Sequence, residues 1–147
     1  MNDPARILLI EDDENVRKAL ELALKANGYA VDTAATGKEA IQKSNANFYN
    51  LALIDIRLPD MEGTILLTAL KETTPKMIKI IVTGYPSFDN AVEAVNKQTD
   101  GYLIKPFKTE QLLTLIQQNL QKQRDEDEYG QKKTSDYIET KLRQKPT

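Results

Sequence analysis

The sequence predicts an open, doubly wound α/β sandwich built on a parallel sheet with right-handed crossovers. Two observations carry that expectation. Short runs rich in Ile, Leu, Val and Ala recur at Arg6 to Ile10, Leu51 to Ile54, Met77 to Val82 and Tyr102 to Ile104, with a weaker, mixed run at Tyr29 to Ala34. Such runs suit strands buried on both faces of a parallel sheet. Between them lie stretches with helical spacing, so strands and helices alternate along the whole chain.

Taken in order, the first strand runs into Glu11, Asp12 and Asp13. Asp13 precedes a periodic stretch, where a carboxylate commonly caps a helix. Val16, Ala19, Leu20, Ala23 and Leu24 hold the i, i+3, i+4 spacing, and Gly28 stands where a helix end wants a left-handed residue. Thr36, Gly37 and Glu39 to Ile41 open a second helix after the weak second strand. The third strand ends on Asp55, and a third helix is expected over Glu62 to Glu72, closed before Pro75. The fourth strand leads to Thr83 and Gly84, and Ala91, Val92, Ala94 and Val95 mark a fourth helix over Ser87 to Asn96. The fifth strand leads to Lys105 and Pro106, and a fifth helix from Thr109 to about Arg124 carries Leu112, Leu113, Leu115, Ile116 and Leu120.

From Gln121 onward the chain is highly charged, with only Tyr129, Tyr137, Ile138 and Leu142 as sizeable apolar residues. The expected division is an α/β domain over residues 1–124 and a charged extension, helical or disordered, over residues 125–147. That extension is too short and polar to be a DNA-binding or ATPase domain. The sharper reading makes it a linker helix that dimerises or docks a partner.

Composition narrows the chemistry. At 147 residues the chain has the size of one domain, with 29% charged and 40% hydrophobic residues. A formal net charge of -2 gives no electrostatic reason to expect direct nucleic-acid or membrane binding. The chain has no Cys and no His. Disulfides, thiolate metal sites, a Ser-His-Asp triad, His-bound zinc and a phosphohistidine of its own are therefore excluded. The first apolar run, Ile7 to Ile10, is too short for a signal peptide or a membrane span, so a cytoplasmic location is expected.

An open parallel sheet places its site at the carboxyl ends of the strands. Those ends carry Glu11, Asp12 and Asp13, then Asp55, then Thr83 and Gly84, then Lys105 and Pro106. Carboxylates, a hydroxyl and an ammonium converge. Each pair of carboxylates about 5 Å apart costs on the order of 3 kcal/mol at an effective dielectric of about 20. A divalent, oxygen-liking cation such as Mg²⁺ offsets that repulsion, and Lys105 adds a compact charge suited to a phosphoryl oxygen or to Asp55 itself. Asp55 would then be the nucleophile, since a carboxylate can attack phosphorus to give an acyl phosphate. Taken singly, each of these residues reads as a cap, a loop charge or a structural ion pair. Matching chemistry at the ends of four strands is what argues against that reading.

The stretches "ILLIEDDENVRKAL", "LALIDIRLPDMEG", "IIVTGYPS" and "GYLIKPF" resemble the four signature motifs of the response-regulator receiver domain of two-component signalling, in order and over about residues 5–122. The resemblance implies a flavodoxin-like, five-stranded sheet in the order 2-1-3-4-5 with five helices in a three-layer sandwich. It implies that Glu11 and Asp12 are the acidic pair, that Asp55 is the phosphoacceptor, and that the backbone carbonyl of Arg57 joins Asp12 and Asp55 around Mg²⁺. It further implies Thr83 as the switch hydroxyl, Tyr102 as the aromatic ring that turns inward, Lys105 as the phosphate-contacting lysine, and Pro106 as a cis proline. Gly84 would offer its backbone amide to the phosphate.

The implied activity is transfer of a phosphoryl group from a phosphohistidine of a sensor histidine kinase or phosphotransfer protein to Asp55, with output to an effector through the face of the fourth helix, fifth strand and fifth helix. That face could also support a homodimer. The chain would catalyse only its own phosphorylation and autodephosphorylation. Arg57 and Tyr85 overhang the phosphate position in this reading and are expected to slow attack by water. Gln98 and Thr99 stand where the family usually has a small Gly-Ala pair. The alternatives are a phosphorylation-independent interaction module, the receiver part of a larger regulator or hybrid kinase, and a small phosphohydrolase. Asp55-Ile-Arg57 lacks the second Asp that the last of these would want.

Overall fold

The computed structural model describes residues 3–84, 87–97 and 99–143. Five strands, β1 (Arg6–Ile10), β2 (Ala30–Ala34), β3 (Leu51–Asp55), β4 (Ile78–Thr83) and β5 (Gly101–Ile104), form one parallel sheet in the order β2-β1-β3-β4-β5. The helices are α1 (Glu14–Ala26), α2 (Gly37–Ala46), α3 (Leu66–Ala69), α4 (Phe88–Asn96) and α5 (Thr109–Arg143). This is the doubly wound sandwich that the alternation predicts, in the flavodoxin-like strand order that the resemblance implies.

The apolar runs explain the layers. Every residue of β3 and β4 is buried. Leu8, Ile10, Ala52, Ile54 and Ile81 point to one face and pack with Ala40, Leu66, Leu67 and Ala94. Ile7, Leu9, Leu51, Leu53, Ile80 and Val82 point to the other and pack with Leu24, Leu112, Ile116 and Leu120. Thus α2, α3 and α4 cover one side, and α1 and α5 the other. Alternation along a strand sends neighbouring residues to opposite layers, so only continuous apolar runs satisfy both.

The helix signals also materialise. Asp13 caps α1 through Oδ1, which accepts the Val16 N–H at 3.0 Å, and Gly28 closes that helix with φ of 90°. Thr36 caps α2 by accepting the Glu39 N–H at 3.1 Å. Ser87 precedes α4, its hydroxyl accepting the Asn90 N–H at 3.1 Å. Thr99, one of the two residues that stand where the family usually has a small pair, lies with its hydroxyl within 3.0 Å of the Lys79 carbonyl and 2.8 Å of the Gly101 carbonyl, so it stitches that turn to β4 and β5. Gln98 lies outside the described residues.

Two helices depart from expectation. The third, expected over Glu62 to Glu72, is only a 3-10 turn at Gly63–Ile65 followed by α3. Its start is pulled against the sheet by the Gly63 N–H, which donates to the Ile56 carbonyl at 2.6 Å. At its end the buried Lys79 donates Nζ to the Leu67 carbonyl at 2.7 Å, and Leu70 turns extended to bury its side chain. A tertiary partner for that carbonyl replaces the next helical turn, which no local pattern could reveal.

The fifth helix, expected to stop near Arg124, continues to Arg143. Gln123, at the end of the expected helix where the sequence turns highly charged, is 5% exposed. Its amide donates to the carbonyls of Asn50 at 3.0 Å and Lys76 at 2.7 Å, and its oxygen accepts from the Asn50 side chain at 3.2 Å. Past this anchor almost every residue is exposed, and side-chain pairs four apart such as Gln131–Asp127 and Arg143–Glu139 run along the helix.

Gln123→Ala should remove its hydrogen bonds to Asn50 and Lys76 and lower unfolding free energy by about 1–3 kcal/mol in urea titration, whereas Lys132→Ala should change it by less than about 0.5 kcal/mol.

Candidate functional site

The carboxyl edge of the sheet gathers the predicted residues. β1 and β3 pair through Ile10 and Ile54, so the residues that follow, Glu11 and Asp55, emerge side by side. Carboxylate oxygens of Glu11, Asp12 and Asp55 lie within 4.8 Å of one another. Glu11 and Asp55 are buried, at 3% and 8% exposure, while Asp12 is open to solvent. This trio is a donor set of hard oxygens with one open side, the kind that holds a small divalent cation together with water.

The opposing charge comes from β5. Lys105 directs Nζ to Glu11 Oε1 at 3.1 Å and to Asp55 Oδ2 at 3.7 Å. One ammonium does not neutralise two buried acids and a third beside them. Burial, then the hydrogen bond and repulsion from Asp55, push the Glu11 carboxyl up to about 8, with Lys105 pulling only partly the other way. The site is therefore short of positive charge, which is the physical requirement for a cation there.

The remaining predicted residues sit around this cluster. Thr83 ends β4 fully buried, in the strand next to that of Asp55, and its carbonyl accepts the Lys105 N–H at 2.7 Å. Gly84 is exposed at the rim, with the Lys105 side chain alongside. The Lys105–Pro106 peptide is cis. Arg57 is exposed at the lip, with its N–H donated to Asp55 Oδ1 at 3.1 Å. Tyr102 is not part of the carboxylate cluster. It lies on β5 opposite Ile81, packs on the core that holds α4, and buries its hydroxyl without a hydrogen-bond partner among the described residues. Tyr85 lies outside the described residues.

Three residues that shape the site escaped the sequence reading. Arg17, one turn into α1, donates Nη1 to the carbonyls of Glu11 at 3.0 Å and Asp12 at 3.2 Å, fixing the acidic loop. Asp60 accepts backbone N–H groups from the start of α2. Gly63 leaves no room for a side chain, because a Cβ there would overlap the Asp55 carbonyl oxygen. Of these only Gly63 left a signal, a glycine shortly after a strand end.

Two outcomes follow from this geometry. Gly63→Ala should displace the backbone at Asp55 and lower stability by more than about 1 kcal/mol, measured by urea unfolding. For Glu11, the folded value of about 8 lies above the unfolded 4.5, so the folded state holds a proton the unfolded state has lost. Metal-free stability should thus fall as pH rises from 4.5 to 8, by up to about 1 kcal/mol per pH unit, and Glu11→Gln should remove that slope in unfolding curves across the range.

Known proteins agree with the geometry. The family described as "Response regulator receiver domain" matches residues 7–117. The "Response regulator ArlR" of Staphylococcus saprophyticus is 32% identical over 118 residues, 80% of this chain and 53% of that protein. The chain thus spans about half the length of the curated relatives it matches. Among solved structures, a CheY-like receiver domain protein from Methanospirillum hungatei superposes with a TM-score of 0.80 and 43% identity, covering 84% of this chain and 98% of that one. A response regulator from Burkholderia pseudomallei, solved with a phosphorylated aspartic acid, calcium ion and citrate, gives 0.72 and 31%, covering 84% of this chain and 72% of that one. The chain belongs to the response regulator receiver domain family.

Proposed function

We propose that this receiver is a phosphorylation-activated switch in which Asp55 accepts a phosphoryl group from a phosphohistidine on a sensor histidine kinase or phosphotransfer protein. The observation that carries this is Asp55 held between two further carboxylates and Lys105 at the carboxyl edge of the sheet. The solved relative with a phosphorylated aspartic acid supports it.

Glu11, Asp12 and Asp55, with the Arg57 carbonyl, would hold Mg²⁺, which neutralises phosphoryl oxygens when bound. Asp55 supplies the attacking oxygen. As its O–P bond forms, the N–P bond of the donor breaks and the imidazole keeps the electron pair. Lys105 offers Nζ to a phosphoryl oxygen, a role its 3.7 Å approach to Asp55 Oδ2 suits. Arg17 keeps the acidic pair oriented through the backbone. Hydrolysis later returns Asp55, so the chain acts catalytically only on itself.

The added negative charge would draw Thr83 and the Gly84 amide inward, with Tyr102 carrying the change to the face of α4, β5 and α5. Moving such a switch from 1:99 to 99:1 needs about 5.5 kcal/mol of differential interaction. Exposed Val92 and Ile104 lie on that face, which fits an effector or a second copy. Residues 1–124 would form the receiver unit and residues 125–147 an extension leading from it, within a cytoplasmic protein. Among the described residues no helix is long and apolar enough to cross a membrane.

Incubation with Mg²⁺ and acetyl phosphate should add one phosphoryl mass, and Asp55→Ala should abolish it. An unmodified wild-type chain would favour the phosphorylation-independent interaction module, and rapid turnover of assorted phosphate esters a hydrolase. Because Glu11 must lose its proton to accept a cation, Mg²⁺ affinity should rise as pH increases towards 8 in calorimetric titration.

A further inference from the structure

We propose that Asp60 is a positioning residue for the Asp55 site, fastening the tip of the loop after β3 to the first turn of α2. This inference rests on the reading of Asp55 and its neighbours as a Mg²⁺-dependent phosphoacceptor site.

The base of the loop is already tied to the sheet. The Arg57 N–H donates to Asp55 Oδ1 at 3.1 Å, and the Gly63 N–H to the Ile56 carbonyl at 2.6 Å. Within the loop the Leu58 N–H reaches the Met61 carbonyl at 3.2 Å, and Arg57 and Glu62 form an antiparallel bridge. Leu58 is buried in the core and Met61 packs against it, so the hairpin is seated on the sheet's helical face and only its tip stands clear. Its tip carries exposed Pro59 and Asp60.

Asp60 fastens that tip to α2. Oδ1 accepts the Gly37 N–H and Oδ2 the Lys38 N–H, each at 2.9 Å. These donors are left over by the local cap, because Thr36 satisfies only the Glu39 N–H. Both oxygens of one carboxylate thus face the positive end of a helix, and the two N–H groups hold the carboxyl below the usual carboxylate range. The neighbouring Met61 side chain fills the place a Cβ would take at Gly37, so loop and helix interlock as well as hydrogen-bond. A carboxylate 23 residues away in sequence from Gly37 is therefore a second cap for α2, and α2 in turn is a fixed post for the loop that carries Arg57.

A cap that served only α2 would behave like Thr36. The full chain with Asp60→Ala, Asp60→Asn or Thr36→Ala separates the two roles. Urea unfolding should show comparable loss of stability for both alanine variants. Amide hydrogen exchange at Arg57 and Gly63 should accelerate in Asp60→Ala and stay near wild type in Thr36→Ala. Mg²⁺ affinity by calorimetry should fall about tenfold in Asp60→Ala, recover only in part in Asp60→Asn, whose single amide oxygen can accept from one of the two N–H groups, and stay within about twofold in Thr36→Ala. Unchanged exchange and Mg²⁺ affinity in Asp60→Ala, or equal loosening of the loop by Thr36→Ala, would overturn the proposal. Failure of the wild-type chain to bind Mg²⁺ would overturn the reading of the site itself, and exchange at Arg57 and Gly63 would still decide the clamp.

Discussion

Asp55 and Glu11 leave adjacent buried strands as neighbours, and their mutual repulsion is the constraint to which the rest of the site responds. Strand pairing gives these carboxylates no freedom to separate, because moving either would drag an apolar run out of the core. Lys105 relieves part of the repulsion, and burial first, then what Asp55 adds, holds the Glu11 carboxyl raised. A cavity short of one or two positive charges is one that welcomes a cation and then a phosphoryl group carrying more negative charge. On the proposed function, the imbalance that makes the clustered carboxylates costly would also make the site responsive to a bound cation and phosphoryl group.

Around that cluster, backbone contacts do much of the holding. Arg17 spends its guanidinium on the carbonyls of Glu11 and Asp12. Gly63 lets the chain fold back against the Asp55 carbonyl, and Asp60 joins the same loop to α2. None of these residues faces the open side of the carboxylate trio through a reactive group of its own. In the proposed function their effect would be to restrict where Asp55 can point, because phosphoryl transfer depends on alignment and charge more than on covalent help from the protein.

The long α5 illustrates a different balance. Its first half is stabilised by Leu112, Ile116 and Leu120 in the core, and Gln123 locks it to the base of β3 and β4. Beyond that point no buried face stabilises the helix, and the turns depend on propensity and on pairs four residues apart. A segment so placed reaches about 30 Å past its anchor.

The apolar runs by themselves determined five strands, the burial of the central three on both faces and the doubly wound layering, while β2 and β5 at the sheet edges are only partly buried. The order of carboxylates, hydroxyl and lysine at the strand ends likewise placed the site, because strand direction is a property of the chain. Tertiary structure alone decided the length of α3, where Lys79 takes a carbonyl that a further turn would have used, and the continuation of α5, where a buried glutamine stands in a stretch that reads as solvent-exposed. It also decided the roles of Arg17 and Asp60, whose partners are backbone groups. A backbone amide or carbonyl carries no residue identity, so a side chain that binds one leaves no matching letter in the sequence.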